Sequence, residues 1–200
     1  MFKHATMAFA LLACSLSVQA HSLQNKVYQT GEPLAKPMQM TGFTEMSWAR
    51  GVPDIEMQTV DGNTVNLSDY RGKLVLVNLW ATWCPPCIKE IPALIDLKAD
   101  NQDKQITILS LSIDEDPTLV APFLDLHGFE NFETLLDPTT QIEKIMPANV
   151  VPATYMFDGA GNLVGFVRGY MDWDDKTVQP FVDQLITKYA DKTAANIAAR

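Results

Sequence analysis

Apolar positions along the chain fall into short blocks whose spacing changes, and the changes mark the elements. Leu74-Val-Leu-Val-Asn-Leu79 is a nearly continuous apolar run, the pattern of a strand buried on both faces at the centre of a sheet. From Cys84 to Lys98 the apolar residues Ile88, Ile91, Leu94 and Ile95 share one arc at about 100° per residue, which predicts a helix. Pro92 removes a backbone donor inside it and predicts a kink. Ile106 to Ile113 is a second apolar strand, so strand, helix and strand form a right-handed parallel unit. Open α/β sheets place chemistry at the carboxyl ends of such strands, which directs attention to the residues between Leu79 and the helix.

Upstream, Ile55 to Val60 and Thr64 to Leu67 alternate on either side of Asp61-Gly62-Asn63, a hairpin signal that predicts a two-strand flap. Downstream, Asp116-Pro117-Thr118 opens a helix that ends near His127, with Gly128 as its cap. Thr139 to Ile145 predicts a short helix before Met146-Pro147. Ala153 to Asp158 and Leu163 to Arg168, joined by Gly159-Ala-Gly-Asn162, predict an antiparallel hairpin. A last helix runs from Asp174 or Thr177 to Tyr189, with Pro180 in its first turns. Residues 21–48 show no clear period and carry Gly31, Pro33, Pro37 and Gly42, so they read as a flexible lead-in to a domain over residues 49–189. Residues 190–200 read as a frayed tail.

Composition adds limits. A chain of 200 residues, 47% of them apolar, suffices for one domain with an ordinary core. The formal charge of −9, with no basic stripe, argues against a nucleic-acid partner. Lys3 and His4, the apolar run Ala5 to Leu16, and the small-residue site Val18-Gln-Ala20 predict a signal peptide over residues 1–20 and a periplasmic location. The run is too short for a comfortable membrane span, which needs roughly 20 residues. Leu11-Leu-Ala-Cys14 resembles the lipobox of bacterial lipoproteins, so a lipid anchor at Cys14 is the alternative.

Removal of that leader leaves two cysteines, Cys84 and Cys87. They close a loop too small to staple a fold, because disulfide stabilisation grows with loop length, so their value is chemical. The thiolate is the reactive species, and the first turn of a helix stabilises it through unpaired N–H groups and the positive dipole end. Cys84 is therefore the expected nucleophile and Cys87, one turn deeper, the resolving thiol. Pro85 and Pro86 have no N–H, which leaves Cys87 and Ile88 as the nearest donors and predicts a moderately lowered Cys84 pKa. A zinc half-site would need further ligands that no second Cys pair or His pair supplies, so no metal site is expected. Met38, Met40 and Met46 read as flexible filler, and His127 as a solvent-facing residue at a helix end.

Taken together, Trp80-Ala-Thr-Trp-Cys-Pro-Pro-Cys87 and Val151-Pro152-Ala153-Thr154 resemble the thioredoxin fold. Asp61-Gly-Asn-Thr-Val-Asn-Leu-Ser-Asp-Tyr-Arg-Gly-Lys73 is similar to the exported TlpA-like thiol-disulfide reductases, a group that includes cytochrome c maturation proteins. The likeness spans residues 50 to 188, with Pro92 and Gly169 at matching positions. It implies an α/β fold, thioredoxin-like, with a central mixed sheet flanked by helices and an N-terminal β-hairpin extension. It further implies a cis Pro152 facing the cysteines, with Val151 offering its backbone to an incoming peptide as an added strand. Trp83 would shield Cys84 and offer a docking surface, while Trp80 belongs to the core.

One departure matters. Asn78 stands where cytosolic thioredoxins carry a buried Asp, and Asn cannot take a proton from Cys87. Glu90, one turn beyond Cys87, is the nearest substitute, and the TlpA-like group has a buried glutamate in a similar arrangement. Glu90 is expected to act as acid and base for the resolving thiol, with a raised pKa if it is buried. The implied activity is reduction of disulfides in envelope proteins by a monomer without a cofactor, recharged by a DsbD-like membrane electron donor. The competing readings are a disulfide oxidase or isomerase, and a copper chaperone using the Cys pair, the early Met residues and His21. A peroxiredoxin is disfavoured, since Val77 and Ala81 occupy the Pro and Thr places of a Pro-x-x-x-Thr-x-x-Cys motif.

Overall fold

The computed structural model describes residues 25–145 and 150–192. The elements run β1 (Lys26–Gln29), β2 (Phe43–Arg50), β3 (Glu56–Thr59), β4 (Thr64–Asn66), β5 (Leu74–Trp80), α1 (Pro85–Asp100), β6 (Ile106–Ser112), α2 (Val120–His127), β7 (Thr134–Leu136), α3 (Gln141–Ile145), β8 (Ala153–Phe157), β9 (Leu163–Arg168) and α4 (Val178–Tyr189). They build one mixed sheet in the order β1-β2-β9-β8-β5-β6-β7-β3-β4. β5 lies at its centre, parallel to β6 and antiparallel to β8, and every residue of β5 is buried. The continuous apolar run thus has its cause: both faces of this strand are covered.

Alternation along β5 divides the core in two. Leu74, Leu76 and Trp80 pack with Ile91 and Leu94 of α1 and Phe181 and Leu185 of α4. Val75, Val77 and Leu79 face the other side, with Ile55, Met57, Tyr155, Phe157 and Ile142 of α3. Truncating a fully buried leucine in such a layer costs about 2–5 kcal/mol. Gly128 closes α2 in the left-handed conformation at φ 73°, as its position after His127 predicts.

Residues 25–48 correct the expected lead-in. β1 pairs with β2, and β2 pairs with β9, Phe43 opposite Val167. The register between β2 and β9 shifts between Glu45 and Arg50, and this irregularity breaks the period-2 alternation by which a strand is recognised. The segment is fastened to α4 by the largely buried Glu45 carboxylate, which accepts hydrogen bonds from the Leu34 N–H (2.7 Å), the Lys188 ammonium (2.5 Å) and the Tyr189 hydroxyl. The Tyr28 hydroxyl of β1 donates to buried Asp158 at 2.7 Å. The expected β3–β4 hairpin forms, and β3–β7 pairing joins it to the sheet as its far edge.

At the other end, Ala190 is 1% exposed and its N–H bonds the Ile186 carbonyl, so the chain stays packed past the expected start of the tail. The expected signal peptide over residues 1–20, Cys14, His21, Met146-Pro147 and residues 193–200 lie outside the described residues. Among the described residues no helix is long and apolar enough to cross a membrane.

Candidate active site

The carboxyl end of β5 delivers residues 81–83 onto the start of α1. Cys84 is the N-cap, in extended conformation, and Pro85 and Pro86 fill the first turn, where a missing N–H costs nothing. Cys84 and Cys87 are joined as a disulfide. The Cys87 N–H donates to Cys84 Sγ at 3.3 Å, whereas the Ile88 N–H is taken by the Cys84 carbonyl at 3.2 Å. Of the two donors expected from the sequence, one therefore reaches the sulfur.

Both cysteines are buried, Cys84 at 3% and Cys87 at 1% exposure, while Trp83 beside them is 61% exposed. The loop is fixed from below by Asp114, just past β6. Its carboxylate accepts from the Thr82 N–H (3.0 Å), the Thr82 hydroxyl (2.6 Å) and the Ser112 hydroxyl (2.8 Å). Trp80 is core, with its indole N–H donating to Thr134 Oγ1 at 2.8 Å and its ring edge-on to Phe132 at 5.4 Å.

The Val151–Pro152 peptide bond is cis. Pro152 is buried, and its carbonyl accepts the Gly169 N–H at 2.8 Å. Val151 is half-buried and packs against the cluster that contains Cys84 and Cys87. Gly169 holds φ 82°, which only glycine adopts without strain.

Glu90 is 2% exposed. One carboxylate oxygen accepts the Met171 N–H at 2.6 Å, and the other accepts from Asn78 Nδ2 at 3.3 Å. The same Asn78 nitrogen donates to Thr154 Oγ1 at 3.1 Å. Burial raises the Glu90 pKa from 4.5 to about 7, and the donors Met171, Asn78 and Trp173 oppose that rise. The Trp173 indole N–H acts by proximity, since it makes no hydrogen bond of normal geometry. A carboxyl in this condition exchanges its proton near neutral pH. It stands at i+3 from Cys87, on the same face of α1.

His127 has its Nδ1 2.8 Å from the Phe123 carbonyl and its ring stacked on Phe123 and, at 6.4 Å, on Phe129, contacts within α2 and the loop that follows it. Among the described residues no group of three or more His, Cys, Asp or Glu side chains is placed to hold a metal ion. Sequence reasoning missed Asp114, Met171 and Trp173. Asp114 carried a signal, an acid just beyond a buried strand on the same side as the cysteines, while Met171 contributes only a backbone N–H.

Comparison with known proteins agrees with this geometry. The AhpC/TSA family pattern matches residues 49–165. The thiol-disulfide oxidoreductase ResA of Oceanobacillus iheyensis is 31% identical over 150 residues, 75% of this chain and 70% of that protein. A Bacteroides vulgatus protein assigned as a thiol-disulfide oxidoreductase superposes with a TM-score of 0.58 at 28% identity, covering 68% of this chain and 94% of its own. The exposed lipoprotein thioredoxin of Streptococcus pneumoniae shares the fold, with a TM-score of 0.58 at 24% identity over 66% of this chain and 99% of its own.

Proposed function

Given that the chain belongs to the AhpC/TSA family and is a thiol-disulfide oxidoreductase of thioredoxin-like fold, we propose that it is exported and reduces disulfides of envelope proteins. One observation carries the proposed direction of electron flow: among the described residues a single backbone N–H reaches the Cys84 sulfur, because Pro85 and Pro86 supply none. A thiolate with few donors is not strongly stabilised, and a pair whose reduced form is not strongly stabilised gives its electrons away.

In the cycle, the Cys84 thiolate attacks a partner disulfide. A Cys84–partner bond forms, and the partner's first sulfur leaves and takes a proton from solvent. The Glu90 carboxylate accepts the Cys87 proton. The Cys87 thiolate then attacks Cys84, closing the Cys84–Cys87 disulfide and expelling the partner's second sulfur, which takes the proton back from Glu90. Two electrons and two protons reach the partner. Val151 and Pro152 align the partner's backbone, and Trp83 supplies apolar contact.

Recharging needs an electron source in an oxidising compartment, for which a DsbD-like membrane donor fits. The lipoprotein among the structural neighbours supports export, whether by cleavage at Ala20 or by lipidation at Cys14.

Cys87→Ser in the native envelope tests the reading. It removes the resolving thiol, so mixed disulfides between Cys84 and partner proteins accumulate and separate on non-reducing gels. A variant that traps nothing refutes a protein substrate. A reduction potential below about −180 mV is expected, and a value near −120 mV would make the protein an oxidant instead.

A further inference from the structure

Both oxygens of the Glu90 carboxylate face donors. One meets the Met171 N–H and the other the Asn78 amide nitrogen. A proton arriving on either oxygen therefore finds no acceptor in this arrangement. The Met171 N–H belongs to the backbone and cannot invert its role. The Asn78 amide can, since a half-turn about Cβ–Cγ exchanges Nδ2 for Oδ1.

The surroundings of Asn78 suit that exchange. Its nitrogen is engaged twice, by Glu90 and by the Thr154 hydroxyl, while its oxygen is buried without a hydrogen-bond partner. The Thr154 hydroxyl both donates and accepts. After the half-turn, Oδ1 accepts from the protonated Glu90 and from Thr154, so two donor bonds are replaced by two acceptor bonds. An aspartate at position 78 would have no donor for the carboxylate state, and a leucine would serve neither state.

We propose that Asn78 is a positioning residue, a rotor whose amide turns with the arrival and departure of the proton on Glu90, with Thr154 as its pivot partner. It lets Glu90 hold the Cys87 proton between the two thiol transfers without an unpaired donor or acceptor at the carboxyl. The rotor rests on the reading of Glu90 as the acid and base of Cys87. The groups that act on Glu90 are Met171, Asn78 and Trp173, with burial the largest influence and no charged side chain among them.

Two measurements on the labelled, oxidised full chain test it. In the unaltered protein, nuclear Overhauser contacts from the Asn78 side-chain amide protons to Thr154 are expected at high pH and lost at low pH, with the midpoint of the Glu90 carboxyl ¹³C shift. Glu90→Gln mimics the protonated carboxyl: its Oε1 takes the Met171 N–H and its amide donates toward position 78, which holds the Asn78 amide in the turned orientation. Contacts from the Asn78 amide protons to Thr154 should then be absent from pH 5 to 9. An amide that keeps its Thr154 contacts while Glu90 titrates, or that keeps them in Glu90→Gln, overturns the rotor alone. A Glu90 that holds one charge state from pH 5 to 9 overturns the acid and base reading, and the rotor with it.

Discussion

Replacing Glu90 by Gln fixes the buried carboxyl in its neutral form, and the effect on stability follows from linkage. In the fold Glu90 releases its proton at about 7, against 4.5 when unperturbed. Below pH 4.5 the folded and unfolded chains both carry the proton, and the group costs nothing. As pH rises toward 7 the unfolded chain has lost it and the native chain retains it, so native stability falls. Above 7 the loss is complete. At 1.36 kcal/mol for each pH unit between the two values, the wild type loses about 3 kcal/mol that the Glu90→Gln protein does not. Gln also keeps an acceptor for the Met171 N–H, so its packing cost is small. Urea unfolding of the disulfide-intact proteins at pH 4.5, 5.5, 6.5 and 8 reads the difference directly. The stability of Glu90→Gln relative to wild type should climb by about 3 kcal/mol across that range. A difference that stays flat with pH refutes the claim that burial perturbs this carboxyl.

The Cys84 thiol, titrated by alkylation rate in Cys87→Ser, should ionise below the free value near 8.5 and well above about 4, as one N–H donor implies; a value near 4 contradicts the reductant reading. Asp114→Ala strips the Thr82 N–H and hydroxyl of their acceptor. Disulfide reduction should slow roughly tenfold through misplacement of the loop, with about 1–3 kcal/mol lost in thermal or urea unfolding. Gly159→Ala would set its Cβ 1.9 Å from the Ala190 carbonyl oxygen, a backbone atom that cannot step aside. About 3 kcal/mol or more of unfolding free energy should be lost, with the redox potential unchanged. Glu45→Ala leaves Lys188 and Tyr189 without their shared acceptor and should cost about 3 kcal/mol, measured the same way.

The central unit was legible because its physics is local. A strand buried on both faces, a helix started by prolines and an Asp-Gly-Asn turn each leave their mark in a few consecutive residues. β2 was not legible, since its pairing with β9 slips between Glu45 and Arg50 and the sequence there alternates with no face. Glu90 sat on the border of the apolar arc of α1, where a glutamate is as readily solvated as buried. What buries it is the segment from Gly169 to Trp173, some 80 residues further along, and no pattern within α1 records that. Met171 takes part through its N–H alone, which every residue except proline has.

The near-complete burial of both sulfurs beside an exposed Trp83 also bears on traffic. A small diffusible thiol or oxidant has little sulfur to strike, whereas a protein that settled on Trp83 and the backbone at Val151, as proposed, would be carried to Cys84. Access, more than driving force, then decides which reactions run. Such insulation allows reducing and oxidising circuits to operate side by side, each passing electrons only to the surfaces that fit it.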